Sequence, residues 1–209
     1  MPWYADAVGG SADGLTYFVG SLFFTGAAFG QLVQAQSPAM TGVDERQQNE
    51  AAPIALRGWL PHDQNWLAAA TQFAGTLFFN VSTFAQLAQN LTTKEEDQHV
   101  WRPDFFGSIL FLVASTLGII AVGGSFFSVQ HSQPWRIAWL NMIGSIFFMA
   151  SAITGFVLPS TGDLIDSPVS IAGTLLGAAC FLAGAALMFP AWRTEVRNAP
   201  HGIASRGAP

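Results

Sequence analysis

Charge is scarce in this sequence of 209 residues. Asp, Glu, Lys and Arg together make up 10% of it, against roughly 25% in an ordinary soluble domain. Lys94 is the single lysine and Cys180 the single cysteine. One cysteine excludes an internal disulfide and any multi-cysteine zinc or iron–sulfur site. There is no basic run, and a net charge of −5 argues against nucleic acid as a partner. No Gly-x-Ser-x-Gly elbow, P-loop, His-Glu-x-x-His or dinucleotide fingerprint occurs. The motifs therefore point away from an enzyme, and nothing in the sequence names a cofactor.

What is plentiful is apolar surface. Hydrophobic residues are 51% of the chain, with 18 Phe and 7 Trp. A bilayer core of about 30 Å needs about 20 mostly apolar residues per helix. Five stretches meet that requirement: Gly14–Gln34, Trp66–Ala88, Phe105–Phe127, Ile137–Leu158 and Val169–Trp192. The expected fold class is all-α, a polytopic membrane helical bundle of five transmembrane helices. No Asp, Glu, Lys, Arg or His stands in the central part of any span, and no Pro interrupts a centre. Proton-coupled transporters place ionisable groups deeper, and many transporters break a helix near the midplane. Both features weigh against that class.

The connections are unequal. Residues 37–65 form a long polar loop holding the apolar Ile54–Leu60, which either lies flat at the interface or is irregular. Asn90–Pro103 reads as a short acidic loop, and Gln130–Trp135 and Pro159–Pro168 as tight hairpins. Residues 194–209 read as a flexible polar tail. Lys and Arg set orientation. Arg46, Arg57, Arg136, Arg193, Arg197 and Arg206 share one side, and only Lys94 and Arg102 the other. That bias places the N-terminus outside the cell membrane and the long loop and C-terminus in the cytoplasm. Trp66, Trp101, Trp135, Trp139 and Trp192 fall at span ends, where Trp is enriched.

Each span also carries a Gly followed by a hydroxyl: Gly20-Ser21, Gly75-Thr76, Gly107-Ser108, Gly144-Ser145 and Gly173-Thr174. Three residues earlier stand Tyr17, Gln72, Asp104, Asn141 and Ser170, on the same helical face as the hydroxyl. Trp66, Gln72, Gly75, Thr76, Phe78 and Phe79 are spaced as Trp135, Asn141, Gly144, Ser145, Phe147 and Phe148. A duplicated two-helix hairpin, spans two–three and four–five, accounts for this, with span one added in front. Each Gly-hydroxyl pair lies early in its span, so antiparallel neighbours should hold theirs in opposite leaflets. That favours helix packing, in which small residues let backbones approach, over a ring around one ligand.

The Gly-Ser/Thr-x-x-Phe signature in paired spans, above all Gly75-Thr-Leu-Phe-Phe-Asn-Val-Ser-Thr83, resembles the YrhK-like family of bacterial integral membrane proteins. The resemblance covers spans two to five. It implies a bacterial membrane protein and brings no catalytic or ligand residues with it.

Span two is the most polar. Gln72, Thr76, Asn80, Thr83 and Gln86 follow one helical stripe. It reads either as interhelical hydrogen bonding, with Asn141 of span four as a partner, or as a hydrated path. Asp104, after Pro103, reads as a helix cap. His62, His99, His131 and His201 lie in loops or the tail, which argues against a haem or metal site between spans. The expectation is a non-enzymatic membrane protein, a scaffold or accessory subunit that meets the lipid bilayer and either a protein partner or itself. The alternatives are a small-solute transporter or channel using the span-two stripe, or a binder of a quinone, carotenoid or lipid.

Overall fold

The computed structural model describes residues 10–37, 56–88, 90–123 and 132–198. Among these the chain is all-helical: α1 Gly10–Gln36, α2 Gln64–Ala85, α3 Thr93–Ala121, α4 Gln133–Thr154 and α5 Ser167–Asn198. Four of them, α1, α3, α4 and α5, are long and apolar enough to cross a membrane. α2 is as long as α4, 22 residues, but spends more of them on Gln, Asn, Ser and Thr.

Local chemistry explains the boundaries. Asp63 caps α2 by accepting from the Trp66 backbone N–H at 2.8 Å. Thr92 and Glu95 form a reciprocal capping box, so the stretch expected as an acidic loop is mostly helix. α3 starts at Thr93, well before Phe105. Its second turn, Glu96–Trp101, is π-helical. Pro103 stands two residues after that turn; it has no N–H to donate, and its ring crowds the carbonyl four residues back. The wider π turn relieves that crowding. Asp104 is consequently no cap. It lies half-buried inside a continuous helix.

The turn between α4 and α5 is closed. Val157 and Leu164 make an isolated antiparallel bridge, and Gly162 takes φ +76°, the left-handed conformation the tight reversal needs. The Trp101 indole N–H donates to the Ala152 carbonyl at 2.7 Å, and its ring meets Phe156 at 4.8 Å. The start of α3 is thereby pinned to the end of α4. Of the segment 54–60, residues 54 and 55 lie outside the described residues, and 56–60 is irregular with Trp59 exposed. α5 continues to Asn198, past the expected stop at Trp192, because Thr194–Asn198 contains neither Gly nor Pro. The rest of the tail lies outside the described residues, as do most of the long loop and the end expected for span three.

Helix pairs approach most closely at glycines. A Cβ on Gly75 would stand 2.9 Å from the Phe111 ring and 3.2 Å from the Gly107 carbonyl; one on Gly144 would stand 2.9 Å from Phe181 and 3.1 Å from the Gly177 carbonyl. The α2–α3 and α4–α5 crossings thus share one geometry. The partner of Gly144 is Gly177, not Gly173. Gly173 packs lower, against the Phe147 carbonyl and Ser151. Facing glycines also correct the expected depth, because antiparallel neighbours bring theirs to the same level.

Replacing Gly75 or Gly144 with Ala should destabilise the protein by about 1–3 kcal/mol through overpacking. Gly26→Ala, where an added Cβ meets nothing within 4 Å, should be neutral or stabilise by up to about 1 kcal/mol. Thermal melting in detergent separates them: equal effects at the three positions would contradict the packing described.

Candidate functional site

The centre of the bundle is aromatic. Phe111, Phe148 and Phe181 are buried, with Phe24 and Phe79 packed against them. One ring comes from each of the five helices. Each follows a glycine by four residues: Gly20 and Phe24, Gly75 and Phe79, Gly107 and Phe111, Gly144 and Phe148, Gly177 and Phe181. That interval puts ring and glycine on one face. Across a crossing the ring of one helix then lies over the glycine of the next, and the rings meet in the middle. Phe148 touches all four others, at ring-centroid distances of 6.4 Å to Phe24, 5.6 Å to Phe79, 5.7 Å to Phe111 and 5.6 Å to Phe181. Aromatic pairs in such arrangements contribute about 0.5–1.5 kcal/mol beyond the area they bury.

Around this plug the polar side chains pair off. Gln72 donates to Gln31 at 3.1 Å, the Thr25 hydroxyl donates to Asn80 at 3.1 Å, and the Ser21 and Thr83 hydroxyls meet at 2.8 Å. Their numbers run in opposite directions along α1 and α2, as an antiparallel pair requires. The stripe of span two is thus a seam against α1. Thr76 bonds back to the Phe73 carbonyl at 2.7 Å, and Gln86 reaches only Ser82, at 3.5 Å. Asn141 does not meet the stripe. Its side-chain oxygen lies against Gly184 of α5, one helix pair away.

The other hydroxyls behave likewise. Ser145 meets Ser115 at 2.8 Å and donates to the Phe111 carbonyl at 3.1 Å, tying α4 to α3. Ser108 donates to the Phe148 carbonyl at 3.4 Å. Thr174 meets Ser151 at 2.7 Å, and Ser151 donates to the Ser170 carbonyl at 2.6 Å, joining α4 to α5. Of the five expected Gly-hydroxyl pairs, four place the hydroxyl in a bond to another helix. Gly20 faces open space, although its neighbour Ser21 is buried.

The part missed from sequence is the role of α1. Ser21, Thr25 and Gln31 recur at intervals that share a face with Phe24 and Ala28, and that polar stripe was the available signal. Among the described residues, no group of three or more His, Cys, Asp or Glu could hold a metal ion. Comparison with protein-family models, with characterised proteins and with solved structures finds no match to this chain. Whatever is said of its function rests on its own residues.

Asn80→Leu removes the acceptor for Thr25 and should lower stability by about 1 kcal/mol, the scale of interhelical bonds in membranes. In a double-mutant melting cycle, Asn80→Leu and Thr25→Val should couple, whereas Asn80→Leu and Asn141→Leu should add. Additivity in the first pair would contradict the seam.

Proposed function

We propose that this chain is a non-enzymatic integral membrane protein, a scaffold or accessory subunit of a membrane assembly. The observation that carries this reading is the closed centre: five Phe rings meet where a conduit would pass, and three of the five stripe residues, Gln72, Asn80 and Thr83, are bonded to α1. An unsatisfied polar group in hydrocarbon costs several kcal/mol. A stripe bonded in pairs is therefore suited to holding helices together, and the arrangement leaves the protein's outer faces as the surface for other molecules.

In this reading α2 is the fifth transmembrane helix. Its 22 residues rise about 33 Å at 1.5 Å each, enough for a hydrocarbon core of about 30 Å. Its polar face turns to α1 while Leu77, Phe78, Val81 and Phe84 are exposed. The hairpins α2–α3 and α4–α5 are taken as duplicated copies with α1 added, supported by the matched glycine crossings at Gly75–Gly107 and Gly144–Gly177. Membership of the YrhK-like family and a bacterial source remain part of the proposal and rest on the signature around Gly75. The basic residues favour an N-terminus outside and a C-terminus in the cytoplasm. The partner is a second copy or another membrane protein.

A second reading, a binder of a quinone, carotenoid or lipid, is favoured by one feature. Phe78, Phe106, Ile109 and Leu110 line an apolar groove of about 350 Å³ on the α2–α3 face. Such a groove suits a hydrocarbon chain and offers no polar group to orient a headgroup.

Extraction in native lipid discs followed by mass spectrometry tests the proposal. A stoichiometric protein partner or a second copy is the expected result, and a stoichiometric pigment or quinone would favour the second reading. Solute flux in reconstituted vesicles that is lost in Asn80→Leu would overturn both. In a C180A background, S205C should label only from the cytoplasmic face, and labelling from outside intact cells would reverse the topology.

A further inference from the structure

The corner where α1 ends and α2 begins carries an irregular segment whose apolar side chains are exposed. Leu60, Pro61, His62 and Asp63 reverse the chain before α2, with the Asp63 N–H donating to the Leu60 carbonyl at 3.0 Å. Pro61 suits the second position of such a turn, because its ring already fixes the φ required there. Just upstream, Gly58 passes so close to the end of α1 that a Cβ there would stand 2.8 Å from the Gln36 side chain. Trp59 sets its ring against Trp66, in the first turn of α2, at 5.2 Å with the planes at 71°. The segment is thus held to both helices. Even so, Leu56 and Leu60 are exposed, and Trp59 is 78% exposed.

The polar groups of this corner are donors short of acceptors. Arg57 is exposed and makes no ion pair with any described residue. Asp63 is the one carboxylate in residues 56–66, and it is occupied in capping α2. The Trp66 side chain is 6% exposed, and its buried indole N–H has no acceptor among the described residues. Buried indoles ordinarily find one. A guanidinium and an indole N–H both donate and neither accepts. What complements them is an anionic oxygen, and Arg pairs especially well with phosphate. Three exposed apolar side chains next to these donors call for hydrocarbon as well. A phospholipid of net negative charge supplies both in one molecule.

We propose that residues 56–60, backed by Trp66, form an interfacial anchor that binds an anionic phospholipid. Arg57 supplies the counter-charge to the headgroup phosphate, and Leu56, Trp59 and Leu60 enter the boundary between headgroups and acyl chains. Trp59, the ring packed on Trp66, moves into the lipid and lets the phosphate reach the Trp66 N–H. The level follows from α2. Its 22 residues match the hydrocarbon core from end to end, so its first turn lies at headgroup depth, where Trp and Arg are favoured. That depth rests on the membrane reading above. The basic bias then puts the anchor in the cytoplasmic leaflet, whose anionic lipids attract Arg.

Depth and charge are read separately. For depth, W59C in the C180A background carries an environment-sensitive dye in vesicles of equal phosphatidylglycerol and phosphatidylcholine. L77C, at an exposed position of α2, is the reference. The dye at position 59 should be shielded from aqueous iodide and quenched more by a nitroxide near the lipid glycerol than by one at the acyl-chain end. At position 77 the order of the two nitroxides should reverse. Iodide access at 59 beside lipid quenching at 77 would overturn the anchor and leave the membrane reading standing. Iodide access at both positions would overturn both. A dye at 59 that is shielded from iodide but quenched by neither nitroxide would assign the segment to protein contact and overturn the proposal too. For charge, native mass spectrometry of the protein released from micelles with equal amounts of the two lipids should show preferential retention of phosphatidylglycerol. R57Q should reduce that preference about fivefold, the scale of one cation at an anionic membrane surface. Equal retention by the wild type, or a preference unchanged in R57Q, would overturn the proposal. Arg57 and Trp59 are both exposed, so neither variant empties a packed site.

Discussion

The interaction on which the rest of this structure depends is the reciprocal fit of a phenylalanine over a glycine. Where Phe111 lies over Gly75 and Phe181 over Gly144, the helices approach until backbone meets backbone. In a lipid environment such close approach replaces the hydrophobic effect as the source of association, because lipid tails are as apolar as the side chains they would release. Small residues permit the approach, and the rings fill what the small residues leave. The five rings meeting at one level are the geometric result of repeating a single four-residue interval on helices that alternate in direction.

Hydroxyl and amide groups act within that frame and do not create it. Ser21, Thr83, Ser108, Ser115, Ser145 and Ser151 are buried, and each finds a partner within reach once the glycines have set the spacing. Individually such bonds are small. Their collective effect is on register, because sliding one helix past another would strand several polar groups at once. α1 shows this most clearly. Its Gly20, Gly26 and Gly30 meet nothing within 4 Å, Gly14 nears α2's end at the Gln86 carbonyl, and the rest of the helix is held to α2 by three side-chain bonds.

Much of this was legible in the sequence, for a physical reason: apolar runs of membrane-crossing length and a glycine–hydroxyl interval are properties of single helices. Four of the expected spans are helices of sufficient length and hydropathy. What was not legible is pairwise. The stripe through Asn80 identified a buried face of α2, yet a stripe cannot say which helix covers it, and the partner is α1 where Asn141 of α4 was expected. The depth of the glycines was misjudged because α3 begins at Thr93. The Thr92–Glu95 capping box carried that signal, in a segment whose charge suggested a loop. Asp104 was misplaced by the same error, and Gly177 was passed over because Ala178, not a hydroxyl, follows it.

The central claim is that the ring cluster holds the bundle together, and Phe148, which like Phe111 is in contact with the other four rings, tests it directly. Thermal melting of Phe148→Ala, measured beside Phe23→Ala, compares a buried ring with one 78% exposed on a neighbouring face. Loss of the buried ring should cost about 3–5 kcal/mol, the usual scale for emptying a core aromatic site, with little change for Phe23. Equal and small effects at both positions would contradict the account.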